Sequence, residues 1–232
     1  MILSNDCYMK ESCRKYLNGN CNTSESSFCP KLFKLNYLYD ESLLSDKQRL
    51  YHTIRIDSDG TDKQQFLQLK EIENNIEMFV SSGSNVYIHS STCGNGKTLW
   101  SVRLIQDYLN SVWYKCDLSC KALFIHVPRF LLALKDSISN QNDYVDHIKK
   151  NVLQADLVVW DEIAVASLTK FEHEHLLNLI NTRIDYNKSN IYTSNQGPEE
   201  IMEKLGERLY SRVVNLSTDI ELFGSDKRGL KI

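Results

Sequence analysis

The chain has 232 residues, 42% hydrophobic and 25% charged, with a net charge of −3. That length carries one α/β domain with its own core and a small appendage. The balance supplies no overall field toward nucleic acid, so any DNA contact must be local and assembled by geometry. No apolar run approaches a membrane span, and "MILSNDCYMK" has an acid where a signal peptide has its apolar core.

The first 30 residues are polar and hold Cys7, Cys13, Cys21 and Cys29. "LFKLNYLYDESLL" predicts an amphipathic helix, with Leu32, Leu35, Leu38 and Tyr39 on one side. "RIDSDGTDK" is turn-rich and marks a junction, dividing the chain into a Cys-rich module, 1–50, and a larger domain, 51–232. "QQFLQLKEIENNIEMFVSSG" spaces Phe66, Leu69, Ile72, Ile76 and Phe79 three and four apart. That pattern predicts one helix stopped near Gly83. Strands and helices then alternate. The strands are "NVYIHS", "KALFIHV", "DLVVWDE", "NIYTSN" and "DIELFG". The helices are "KTLWSVRLIQDYLNSVW", "PRFLLALKDSI", "DYVDHIKKNVLQ", "FEHEHLLNLINTRIDYN" and "PEEIMEKLGERLYSRVV", the last breaking near Gly206. This order implies a three-layer α/β fold with a five-stranded parallel sheet covered on both faces.

Three strand ends and one helix face carry chemistry. "STCGNGKTL" runs from Ser91 through Thr92, Cys93, Gly94, Asn95, Gly96, Lys97 and Thr98 to Leu99. It lies between a strand and a helix. Backbone N–H groups cradle phosphate there, Lys97 supplies charge to the β/γ oxygens, and Thr98 offers a hydroxyl to Mg²⁺. Ser91 stands where such loops usually begin with glycine. "VVWDE" ends an apolar strand in two acids: Asp161 suits Mg²⁺, and Glu162 suits orientation of an attacking water. Asn195 closes "IYTSN" and is placed to meet the γ-phosphate or that water. Arg208 and Arg212 lie four apart in "GERLYSR", hence on one helix face. They are either a solvated pair or an arginine finger for a neighbour's nucleotide.

With these motifs in order, residues 60 to 232 resemble the DnaC/DnaI-type replicative helicase loaders, an AAA+ ATPase family that includes phage-encoded members. "TSN" followed by "LGERLYSR" is the most specific part. The resemblance implies an AAA+ P-loop core using ATP and Mg²⁺, with the nucleotide between subunits that self-associate through their ATP sites. It implies Lys97, Thr98, Asp161 and Glu162 as the hydrolysis set, Asn195 as sensor, and Arg212 as finger with Arg208 second. Arg228, in the terminal "GSDKR", sits where relatives carry an arginine. The stretch up to Ile232 leaves no room for the helical lid of many AAA+ proteins. The implied activity is delivery of a replicative hexameric helicase onto single-stranded DNA, in the cytoplasm of a bacterial or phage-infected cell. An IstB-like transposition helper shares most of these motifs, and an assembly adaptor that binds ATP without hydrolysing it is a third reading. Glu162 speaks against the adaptor. The seven basic and six acidic residues of 1–50 do not make the basic N-terminus a transposition helper would need.

Cys7, Cys13, Cys21 and Cys29 could bind Zn²⁺ as a staple for a module too short to build a core. The alternative is scattered free thiols in a reducing compartment. DnaI-type loaders have a zinc-binding N-terminal module, which favours the metal. His173 and His175 point to different helix faces and make no metal pair. Arg129 and Lys135 follow the second strand, in a segment that approaches DNA in this family.

Overall fold

The computed structural model describes residues 17–19, 29–50, 54, 60–164 and 167–226. In chain order the helices are α1 (Pro30–Glu41), α2 (Asp46–Arg49), α3 (Lys63–Asn74), α4 (Ile76–Ser81), α5 (Lys97–Val112), α6 (Val127–Asp136), α7 (Asp143–Asn151), α8 (Lys170–Asp185) and α9 (Pro198–Tyr210). The strands are β1 (Asn85–His89), β2 (Ala122–His126), β3 (Leu157–Asp161), β4 (Ser189–Ser194) and β5 (Thr218–Glu221). They form one parallel sheet in the order β2-β3-β4-β1-β5.

The four strands β1 to β4 are buried on both faces, whereas the edge strand β5 buries only Ile220, and the period of two sorts the buried side chains between two cores. Val86, Ile88, Leu157 and Val159 point to the layer of α1, α3, α4 and α5. Tyr87, Val158, Trp160 and Tyr192 point to the layer of α6, α7, α8 and α9. The expected five-stranded α/β architecture is therefore observed. No helix among the described residues is long and apolar enough to cross a membrane.

Two details differ from the periodicity. The apolar stripe from Phe66 to Phe79 is two helices, because the chain leaves helical geometry at Asn75 (φ −116°, ψ 29°). The Asn75 side-chain amide donates to Glu71 O at 3.0 Å, the same carbonyl that the Asn75 backbone N–H reaches at 3.1 Å. Gly83 then turns the chain at φ +68°, where an added Cβ would lie 2.3 Å from Asn187 Oδ1. The second detail is α1. Its Leu35, Leu38 and Tyr39 are buried in the same core as Val86 and Ile88. Beyond its end, Phe124 N on β2 donates to Ser42 O at 2.8 Å, and His147 Nε2 lies 2.9 Å from Glu41 O. The helix assigned by sequence to the N-terminal side of residue 50 thus packs onto the sheet.

The far end of the sheet is held by a buried guanidinium. Arg183 is 0% exposed. It donates to Asn190 Oδ1 at 2.7 Å and to the carbonyls of Val152, Ala155 and Ser189 at 2.6, 2.8 and 2.6 Å. Asn190 Oδ1 also accepts from Trp160 Nε1 at 3.1 Å, tying β3, β4 and α8 together. Burial lowers the Arg183 pKa to about 10, so the charge persists at neutral pH. With one end locked, the opposite strand ends are left to present loops.

Candidate functional site

The C-terminal ends of β1, β3 and β4 lie side by side, and their loops frame one open pocket of about 380 Å³. It is lined by Cys93, Gly94, Gly96, Lys97, Thr98, Leu99, Glu162 and Asn195. The loop after β1 owes its shape to two glycines in the left-handed region, Gly94 at φ +76° and Gly96 at φ +112°. Ser91 has no positive φ, so a serine fits where the motif usually has glycine. Ser90 Oγ braces the loop from inside, accepting from Thr92 N at 3.0 Å and Asn95 Nδ2 at 2.6 Å. Asn95 Nδ2 also donates to Leu222 O at 3.1 Å, beyond β5. Lys97 Nζ is folded back onto the loop, donating to Thr92 O at 2.8 Å and Asn95 Oδ1 at 3.2 Å.

The floor of the pocket is a hydroxyl–carboxylate cluster. Asp161 Oδ1 accepts from Thr98 Oγ1 at 3.0 Å and from Thr193 Oγ1 at 2.8 Å. Asp161 is 3% exposed, and burial raises its pKa against the lowering effect of the two hydroxyl bonds. Thr193 does further work. Its Oγ1 accepts from Glu162 N and its carbonyl from Ile163 N, both at 3.0 Å. Holding two successive N–H groups turns the chain sharply, and Glu162 takes φ +59°, a region side chains avoid. The turn aims Glu162 across the pocket, where Oε2 lies 3.2 Å from His126 Nε2 at the end of β2. His126 Nδ1 accepts from Arg129 N at 3.4 Å, so the neutral ring carries its proton on Nε2 and donates to Glu162.

The structure thus brings together Lys97, Thr98, Glu162 and Asn195 around the pocket, with Asp161 beneath it. Thr193 and His126 were missed from sequence. A polar residue one or two places before a strand end was the available signal. Arg208 and Arg212 stand apart from that pocket. With Glu174, Asn178, Asn181 and Glu207 they line a separate open groove of about 730 Å³. The chain kinks at Gly206 (φ +73°) as expected, and Arg212 lies on a π-helical turn, Ser211–Asn215. The Phe171 and His175 rings meet on α8 at a tilted 41° with centroids 4.6 Å apart, and no cluster of three or more metal-binding side chains occurs among the described residues. Cys7, Cys13, Cys21 and Arg228 lie outside the described residues; Cys29 is a free thiol at the N-terminus of α1.

The chain is similar in sequence and fold to known proteins. Residues 70–218 match the family model described as the bacterial DnaA ATPase domain. The replicative helicase loader DnaC of Escherichia coli is 25% identical over 145 residues, 62% of this chain and 53% of the relative. The match thus spans about half the relative's length. Among solved structures, DnaI superposes with a TM-score of 0.59 at 20% identity, covering 82% of this chain and 100% of the other. A putative primosome component from Streptococcus pyogenes gives 0.61 at 16% identity, covering 83% and 98%. At such identities these superpositions establish the shared fold. An ATPase domain of this type implies ATP with Mg²⁺. The residues fit that ion: Thr98 and Asp161 present hard oxygen donors 3.0 Å apart beside the loop lysine. Bound there, Mg²⁺ would neutralise phosphate charge.

Proposed function

The chain belongs to the bacterial DnaA ATPase-domain family, and from that membership we propose that it is an ATP-dependent loader delivering a replicative hexameric helicase onto single-stranded DNA during replication initiation. The observation that carries the ATPase part is the meeting of Lys97, Thr98, Asp161, Glu162 and Asn195 at three strand ends. The likeness to DnaC, a replicative helicase loader, supports the choice of client.

In this reading Lys97 leaves Thr92 O and Asn95 Oδ1 to meet the β- and γ-phosphates. Thr98 and Asp161 hold Mg²⁺, and Glu162 orients the attacking water while Asn195 reports on the γ-phosphate. Arg212 acts in trans, on the nucleotide of a neighbouring copy, with Arg208 beside it; fingers of this kind are worth roughly 10³ to 10⁵ in rate. Subunits aligned by ATP then build the track for single-stranded DNA that one chain of net charge −3 lacks.

The test is reconstitution with the hexameric helicase of the same cell. Wild-type protein with ATP should co-purify with the helicase and raise its unwinding of a forked duplex; Lys97→Ala should do neither. Mixing Arg212→Ala with Lys97→Ala should recover ATPase activity that each lacks alone. ATP turnover without helicase association or stimulation would remove the loader reading while leaving the ATPase.

A further inference from the structure

We infer that the segment Leu222 to Gly224 is the base-side wall of the nucleotide site, with the Phe223 ring stacking on the purine. The inference rests on the phosphate-loop reading above and adds the part of the ligand that reading leaves unassigned.

The direction of the ligand follows from the sheet order. Glu162 and Asn195 come from the ends of β3 and β4, so the γ end of a triphosphate faces that side of the loop. β1, which carries the loop, lies between β4 and β5. A ligand whose γ end points to β3 and β4 leaves its base on the other side, toward β5.

What stands there is the strap that follows β5, and it is built into the loop. Leu222 N donates to His89 O at 2.8 Å, at the root of the phosphate loop. Leu222 O accepts from Asn95 Nδ2 at 3.1 Å, within the loop itself. The next two N–H groups go to a single carboxylate. Phe223 N donates to Asp62 Oδ1 at 2.7 Å and Gly224 N to Asp62 Oδ2 at 2.8 Å. Asp62 is 5% exposed, at the N-terminus of α3. Hydrogen bonds to an ionised acceptor are the strong ones, so the backbone at Phe223 is pinned from two sides. Its side chain nevertheless stays 54% exposed. A scattered exposed phenyl is unremarkable. A phenyl on braced backbone, one residue from a bond to the phosphate loop and on the β5 side of that loop, offers an apolar surface to a planar ligand. Aromatic stacking on a base is sequence-tolerant and strong enough to matter in affinity.

The experiment compares two probes, Mg²⁺-ATP and Mg²⁺-tripolyphosphate, by titration calorimetry on the full chain. Tripolyphosphate has the phosphates and no base. Phe223→Ala should weaken ATP roughly tenfold and leave tripolyphosphate within about twofold, and Phe223→Trp should restore ATP affinity. Phe223 is exposed, so the fold survives the change, and a circular dichroism melt verifies it. Unchanged ATP affinity in Phe223→Ala overturns the inference. Equal weakening of both probes also overturns it, because the strap would then act through the loop. Lys97→Ala serves as the separate check on the phosphate loop. If it binds both probes like wild type, the phosphate-loop reading falls and takes the base wall with it.

Discussion

Glu162 combines backbone strain with proposed chemistry, and three substitutions there separate the two. Its φ of +59° places a Cβ-bearing residue in the left-handed region, at a cost of about 1–2 kcal/mol. Glycine escapes that cost but loses more backbone entropy on folding, about 0.5–1 kcal/mol relative to alanine. The difference predicts that Glu162→Gly is more stable than Glu162→Ala by roughly 0.5–1 kcal/mol, the reverse of the order at an ordinary position. Both variants lose the contact with His126. The two side chains are 37% and 41% exposed, so that contact is worth at most about 1 kcal/mol, and its loss cancels in the comparison. For a chain of this size the expected gap is about 1–4 °C in Tm. Glu162→Gln keeps the shape and removes the carboxylate. All three variants should bind ATP and lose about 10²- to 10⁴-fold in turnover. Thermal melts and steady-state hydrolysis at saturating ATP measure the two effects. Alanine melting above glycine would refute the strained turn, and wild-type turnover in Glu162→Gln would refute the water-orienting role.

Two carboxylates predict opposite behaviour from an ordinary acid. Asp161 has its pKa raised by burial, so its stabilising contribution is present when protonated and is lost as pH rises through that raised value. Asp161→Asn should therefore raise the ligand-free Tm at pH 7 while abolishing the extra Tm that Mg²⁺-ATP gives the wild type. Asp107 is pushed up to about 7 by burial first and by Glu73 second, against Arg103 on its own helix and Lys70 on α3, with Tyr39 of α1 nearby. Stability from this group should be complete below about pH 4 and gone above about pH 7. Asp107→Asn should flatten that slope and stabilise the protein at pH 8 by about 1–3 kcal/mol; an unchanged profile of Tm against pH would contradict it.

What could be read from the sequence was what is local. The strands and helices were legible because short β-type runs alternate with segments that carry a helical apolar stripe, although β4 and β5 are themselves largely polar. The phosphate loop was legible because its glycines, lysine and threonine are contiguous. The split at Asn75 was not, since it lies in the backbone angles of a single residue rather than in the spacing of apolar residues. Nor was the destination of α1. A stripe of Leu35, Leu38 and Tyr39 says that something covers it, but not that the cover is the sheet's own core. Thr193, His126 and Asp62 stayed hidden for a third reason. Each acts on a residue distant in the chain, and β3 lies between β2 and β4 only because the chain crosses over. Spacing along the sequence carries no record of that adjacency.

The charge balance of the pocket leads to the same architecture as the sheet. Among its described lining residues Lys97 is the cation, facing Glu162 with Asp161 just below. A triphosphate adds several negative charges to two carboxylates already present, in a site where burial makes uncompensated charge costly. Mg²⁺ held by Thr98 and Asp161 would offset part of this. The charge that develops at the γ-phosphate during transfer still lacks a donor on its outer side. Arg208 and Arg212, together on one rim, face a different groove lined by Glu174, Asn178 and Glu207. One chain thus presents a nucleotide pocket short of positive charge and, elsewhere, two arginines on an open surface. The proposed head-to-tail arrangement of copies would resolve both, because the same contact repeated would supply each pocket with its neighbour's guanidinium. Under the proposed trans role of Arg212, hydrolysis would report assembly: a single chain would hold ATP, and the next chain would make it reactive.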